Sequence, residues 1–388
     1  MRAPGPLTAR VFESLGQQEL ISVGGAGGSS QYEALVAQDD ALRKLHNGEW
    51  PQGNGGAFVQ RMDSLLRGST PSVNVDVAVC GGTLGLLLAC ALQRSGHRVI
   101  VIEGGPLRGR DQDWNTSLEE LRRLVAEGVL EESDLAVVAP LSFGPMRCVF
   151  GEAPEYELRL SGVLDVAVSP EALLRTVRQR FEAAGGLVME RTRLQGVRVH
   201  PDGACLTVGG DGDTAMDVHT RLCIDCMGHR SPIALQQRAA LGQVPDGVCV
   251  QVGSCASSAG WLDRWGESGD FFCTASDTVA GGPNKKARVQ HFWQAFPTSG
   301  SDQDERSTYM FTYLRPGPEM PGLLETLEEY WERLPSYQGG SAHADDPLAS
   351  IAVKRVLFGW FPTYRRNSPL PPAFDRVLSV GDAAAVQS

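Results

Sequence analysis

The segment Cys80-Gly81-Gly82-Thr83-Leu84-Gly85 has the spacing of a turn that cradles phosphate. In such a turn the first glycine makes the bend and the second lets the backbone approach a pyrophosphate. The third lets a helix pack closely on a strand. Gly82 and Gly85 stand at the second and third positions, and Cys80 stands at the first. Free N–H groups and the positive end of the following helix complete the anion site. Glu103 lies 21 residues after Gly82. A carboxylate there accepts hydrogen bonds from ribose hydroxyls and repels a 2′-phosphate, so the pair favours FAD or NAD over NADP.

Two further segments belong to the same chemistry only in company with the first. One is Asp225-Cys226-Met227-Gly228-His229-Arg230-Ser231-Pro232, and the other is Val380-Gly381-Asp382-Ala383-Ala384. Gly-Asp pairs are common in turns, so each is weak alone, and the order and spacing of all three carry the signal. Cys223 and Cys226 form a CxxC without a second ligand pair, which reads as strand rather than metal or redox site. His229, His291 and His343 are candidate general acids. His291 sits in an aromatic strand and reads as a core residue, and Asp345-Asp346 beside His343 reads as a solvated loop. No nucleophile elbow is present, no catalytic residue is singled out and no metal site is expected.

These segments require a βαβ unit to hold them. Val75 to Val79 reads as a buried strand, Leu86 to Arg94 as an apolar helix and His97 to Ile102 as a second strand, with Glu103 at its end. Helices are expected over 117–127 and 170–184, the second opened by Ser169-Pro170-Glu171. Residues 187–190 read as a strand and 194–226 as short antiparallel strands. Aromatic strands are expected within 246–315 and 350–364, a helix over 322–334 and a last strand over 376–380. The glycine cluster at 24–28 also follows an apolar run, but no strand with a terminal acid comes about 20 residues later. It reads as a linker.

The chain has 388 residues, a formal net charge of −11 and 42% hydrophobic residues, a soluble globular composition. The acidic balance argues against nucleic acid. No apolar run is long enough for a transmembrane helix, and peripheral membrane contact stays open. Nine irregularly spaced cysteines argue for a reducing compartment. Arg2 and Arg10 without an acid give only a faint transit-peptide character.

In combination, the motifs resemble the flavoprotein monooxygenase, geranylgeranyl reductase and lycopene cyclase superfamily. Val79 to Gly85, Gly109-Arg110-Asp111-Gln112-Asp113-Trp114-Asn115 and Phe361-Pro362-Thr363-Tyr364-Arg365 look more narrowly like a plant and algal FAD/NAD(P)-binding oxidoreductase family related to lycopene cyclases. The resemblance covers about residues 56–388. It implies that Gly81, Gly82, Thr83, Leu84, Gly85 and Glu103 hold the ADP half of FAD. It places Arg110 on the cofactor, Asp225 and Gly228 near the flavin, and Gly381 and Asp382 at the ribityl or ribose hydroxyls. Cys226 departs from the small residue usual after Asp. Relatives continue past Gly-Asp into a further helix, so the resemblance implies a chain cut short at Ser388.

The expected fold is α/β, a Rossmann-like FAD-binding domain interleaved with a mixed or antiparallel substrate sheet. Residues 1–72 read as a partly disordered extension. FAD-binding segments are expected at 73–116, 162–235 and 374–388, and substrate-facing segments at 117–161 and 236–373. Phe292, Trp293, Phe311, Tyr313, Trp360 and Phe361 are candidates for an apolar pocket. The resemblance implies an FAD-dependent oxidoreductase that acts on a small apolar, isoprenoid-type substrate with NAD(P)H as reductant, in a plastid. A flavin-dependent isomerase like lycopene cyclase and a truncated, non-catalytic FAD-binding protein are the alternatives.

Overall fold

The computed structural model describes residues 4–16, 29–50, 57–66, 71–109, 112–151, 156–210, 215–242, 244–261, 268–281, 285–300, 302–338, 346–363 and 370–385. Strand Val77–Cys80 is buried on both faces, with Val77 and Val79 on one side and Ala78 and Cys80 on the other. Val99–Ile102 divides in the same way. Continuous apolar strands of this kind belong inside a parallel sheet. They lie in one of five strands, all parallel, in the order Leu187–Met189, Val99–Ile102, Val77–Cys80, Leu222–Asp225, Val377–Ser379. The chain builds this sheet outward from Val77–Cys80, first to one side and then to the other. The reversal falls between Val77–Cys80 and Leu222–Asp225, where open α/β sheets bind their ligands.

Helices Gly85–Arg94 and Pro170–Ala183 cover one face through Leu86, Ala89, Val177 and Phe181. Residues 117–138, expected on the substrate side, also pack here, through Leu121, Val129, Leu130, Leu135 and Val138. A second five-stranded sheet covers the other face. Its strands Arg193–His200, Gly203–Gly209 and Met216–Thr220 form an antiparallel meander, and Leu206, Val208 and Val218 meet Ala78, Ile100 and Ile102.

A seven-stranded sheet makes the other half. Its order is Ala352–Thr363, Gly247–Ser257, Glu305–Leu314, Lys285–Pro297, Ser268–Gly281, Gly144–Phe150, Glu157–Leu160. Only Ser268–Gly281 and Gly144–Phe150 pair in parallel. The chain therefore passes back and forth between a Rossmann-like layer and a largely antiparallel sheet, as the sequence led us to expect.

The N-terminal segment, expected as a partly disordered extension, holds two helices among its described residues. Pro6–Gly16 and Ser29–His46 are helices, and with Leu323–Gln338 they cover one face of the large sheet. Leu15, Leu35 and Leu42 are fully buried there against the core that holds Val250, Trp293 and Met310. Glu328 accepts the N–H groups of Leu7 and Thr8 at 2.9 Å, closing the start of the first helix. The indole N–H of Trp360 donates to the Gln38 carbonyl at 3.0 Å. A narrow apolar stripe on an otherwise polar helix is enough when a sheet face waits to receive it. The glycine cluster at 24–28 lies outside the described residues.

Candidate functional site

Described residues named from the motifs gather at the carboxyl edge of the parallel sheet. Cys80 and Asp225 end two strands, Glu103 follows a third, and Gly381 and Asp382 follow a fourth. Backbone bonds join these ends. The Cys226 N–H donates to the Cys80 carbonyl at 2.8 Å, and Gly81 to Ile102 at 2.9 Å. The Glu103 N–H donates to Met189 at 2.8 Å, and Val380 to Asp225 at 2.9 Å.

The glycines have distinct physical tasks. Gly81 has φ +100°, and a Cβ there would lie 2.6 Å from the Cys226 carbonyl oxygen. Gly81 therefore makes the turn, and this explains how Cys80 can occupy the first position. Cys80 remains in the strand, buried toward the second sheet, with its Sγ 3.9 Å from Cys223 Sγ. A Cβ on Gly85 would lie 3.0 Å from Val79 and 3.1 Å from Cys226, the close helix-strand approach of a third glycine. On Gly82 it would meet a Leu107 methyl.

The helix that follows has no side-chain cap. Leu84 stands at its N-cap, exposed, and accepts nothing through its side chain. The neighbouring helices differ. Ser117, Ser169 and Ser231 each cap theirs through a side-chain oxygen. Among the described residues, no protein acceptor receives the N–H groups of Thr83, Leu84 and Gly85. Such an end suits an anion, and the carboxyl edge of the sheet is where the dinucleotide fold places a pyrophosphate. The residues present thus fit the ADP half of FAD.

Glu103 is half-buried and already holds the turn together. Its Oε2 accepts the Gly82 N–H at 2.7 Å and its Oε1 the Gly105 N–H at 2.8 Å. Each carboxylate oxygen keeps a lone pair for a ribose hydroxyl. Sequence reasoning missed Leu107, which lies over Gly82, and Glu190, which accepts the Leu107 N–H at 2.5 Å and pairs with Arg178 at 2.9 Å. An acid at the end of the third parallel strand was the available signal for Glu190.

Asp225 is fully buried. Its Oδ2 accepts the Ser231 hydroxyl at 2.5 Å and its Oδ1 the Met227 N–H at 3.0 Å, and burial raises the carboxyl above its usual range. Ser231 in turn caps Pro232–Leu241, so Asp225 fixes the loop that touches Gly81. Gly228 and Gly381 take φ +79° and +63°, and Asp382 is exposed. Cys223 faces the second sheet whereas Cys226 faces the helices, so the CxxC is no thiol pair. Burial pushes the Cys226 thiol up to about 11.

His229 lies 5.7 Å from the Trp360 ring. Burial, with Arg230 and Arg238 nearby, pulls its imidazole down to about 4. His291 is buried on the helix side, with Nε2 3.3 Å from Glu329. Arg110, His343 and Asp345 lie outside the described residues.

The aromatic candidates divide by strand alternation. Trp293 and Trp360 face the helices and are core. Phe292, Phe311, Tyr313 and Phe361 face the other way and keep exposure. Phe292 stacks on Phe311 at 5.3 Å and stands 6.2 Å from Phe271, which stands 6.4 Å from Phe150. The rings form a ladder across four adjacent strands, about 15 Å at the usual strand spacing.

No protein-family model matches the chain, and no curated protein is similar to it in sequence. Its structure is similar to a geranylgeranyl bacteriochlorophyll reductase-like protein from Thermoplasma acidophilum. The TM-score is 0.56 at 15% identity, covering 81% of this chain and 72% of that one. It is similar to PqsL, a probable FAD-dependent monooxygenase from Pseudomonas aeruginosa, with TM-score 0.51, 17% identity, and 80% and 79% of the two chains covered. It is also similar to a mutant of the halogenase PltM in complex with FAD, with TM-score 0.55, 13% identity, and 80% and 64% covered. At these identities the likeness is one of fold. The chain has the α/β fold of these flavoprotein structures.

Proposed function

We propose that this chain is an FAD-dependent oxidoreductase that acts on an elongated apolar substrate of isoprenoid type, with NAD(P)H as reductant. The uncapped helix start at Leu84, set against Glu103 at the carboxyl edge of the sheet, carries the reading. The N–H groups of Thr83, Leu84 and Gly85 would receive the pyrophosphate and Glu103 the adenosine ribose. By resemblance, Asp382 would take ribityl or ribose hydroxyls, and Arg110 would add a contact. When bound, the flavin supplies the redox chemistry, and the protein positions it. Asp225 acts through others, holding Met227 and Ser231 so that Cys226 closes on Gly81.

The apolar substrate rests on the aromatic ladder. Half-exposed rings in a row match a long apolar molecule better than a compact polar one. A plastid location belongs to the same reading and has only the sequence resemblance behind it.

The purified chain should take up FAD and show its yellow absorbance, with FMN bound far more weakly because FMN lacks the adenosine half. Binding of NADPH without any flavin would overturn the reading.

A further inference from the structure

Two loops at the outer carboxyl edge of the parallel sheet are zipped together. The Glu103 N–H donates to Met189, Thr192 to Glu103 and Arg191 to Gly105, at 2.8, 2.9 and 3.0 Å. The Leu107 N–H donates to Glu190. This paired platform carries three exposed guanidinium groups, those of Arg108, Arg191 and Arg193.

The local acids are already engaged. Glu103 accepts two backbone N–H groups, and Glu190 accepts Leu107 and pairs with Arg178. Among the described residues Arg108, Arg191 and Arg193 form no ion pair within 4 Å, and Arg191 meets the field of Glu190 only at longer range. Arg191 is held at φ +52°, in the left-handed region that bulky side chains avoid. Arg193 lays its stem beside Gly104, 3.6 Å from where a Cβ would stand. Positive charge is thus concentrated beside Glu103 in a protein of net charge −11.

We propose that Arg108, Arg191 and Arg193 bind the phosphomonoester of a second adenine nucleotide, the 2′-phosphate that distinguishes NADPH from NADH. Guanidinium forks match phosphate oxygens in charge and geometry. Glu103 keeps that phosphate away from the ribose it would itself hold, so the phosphate belongs to a nucleotide other than the FAD. The inference deepens the proposed function by assigning the reductant, and it rests on that reading for the presence of a flavin.

Calorimetric titration of the full chain with 2′,5′-ADP, 5′-AMP and inorganic phosphate tests it. The native chain should bind 2′,5′-ADP at least about tenfold more tightly than 5′-AMP, a preference of the size that one charge-assisted contact provides. Arg193→Ala and Arg191→Gly should each erase most of that preference. The glycine suits the left-handed backbone, so the second variant keeps the loop. Both should take up FAD as the native chain does, because the glycine turn and Glu103 are intact. Equal affinity for the two nucleotides overturns the proposal, as does a preference that survives both substitutions. Inorganic phosphate bound as tightly as 2′,5′-ADP also overturns it, showing a plain anion patch. Failure to bind FAD in the parallel titration counts against the proposed function, not against this preference.

Discussion

Gly82 donates its backbone N–H to Glu103 Oε2 at 2.7 Å, so two residues expected to meet on one nucleotide are already joined across the turn. The carboxylate is therefore a brace for the loop as well as the proposed ribose acceptor. Replacing it affects two measurable quantities at once.

Glu103→Ala should lower FAD affinity by about one to two decades through lost ribose contacts. It should also destabilise the ligand-free protein by about 1–3 kcal/mol, because the Gly82 and Gly105 N–H groups lose a charged acceptor. Urea unfolding and FAD titration of the same preparation separate the two effects. An unchanged unfolding midpoint would remove the brace from the account.

Gly81→Ala and Gly82→Ala should fail differently. At Gly81 a methyl meets backbone at Cys226, and φ is +100°, so the cost falls on folding and the melting temperature should drop by several degrees. At Gly82 the nearest obstacle is the Leu107 methyl, a side-chain tip that can turn away. That variant should keep most of its stability and lose FAD binding instead. The same loss of stability in both variants would show that Gly82 serves packing alone.

His229 makes stability depend on pH. Its folded value lies near 4, below the ordinary 6.5. Above 6.5 the ring is neutral in both states and carries no penalty. As pH falls toward 4 the unfolded chain takes up the proton and the folded chain does not, so stability is lost by up to roughly 3 kcal/mol. His229→Phe keeps a ring beside Trp360 and should flatten that part of the profile. Parallel profiles of native protein and variant between pH 7 and 4 would contradict this.

Trp360 and Phe311 face opposite sides of the large sheet, and their truncation should separate stability from binding. Trp360→Ala opens the core beneath Gln38 and Trp50 and should cost about 3–5 kcal/mol. Phe311→Ala removes a half-exposed ring from the ladder. It should cost much less and weaken binding of a long-chain apolar probe, read by fluorescence. Equal stability losses would make the ladder a second core.

The parallel-sheet half was legible because its signals are local. A glycine turn, a strand of continuous apolar residues and an acid at a fixed spacing need no distant partner to be recognised. Gly81 as the turn residue was not legible, since the steric demand comes from Cys226, far along the chain. The same holds for Leu35 and Leu42, whose burial depends on strands drawn from residues 247–363. Alternation predicts that Phe292 and Trp293 part company. It does not say which side the helices will cover. The zipped arginine loops escaped notice because three arginines in two distant segments carry no spacing of their own.

The parallel sheet places Val377–Ser379 beside Leu222–Asp225, with five strands of the seven-stranded sheet between them in sequence. That arrangement sets an order of assembly. Until Val377–Ser379 arrives, Leu222–Asp225 is an edge strand, and its backbone can recruit another chain. Bringing the two strands together closes a very long loop, and such non-local pairings are slow to form. During synthesis the nascent protein therefore passes through a period in which an apolar edge is bare, and dependence on a chaperone or loss to aggregates should concentrate there. A ligand that requires Asp382 can engage only after that strand has docked, so its uptake would act as a clock for the last step of folding.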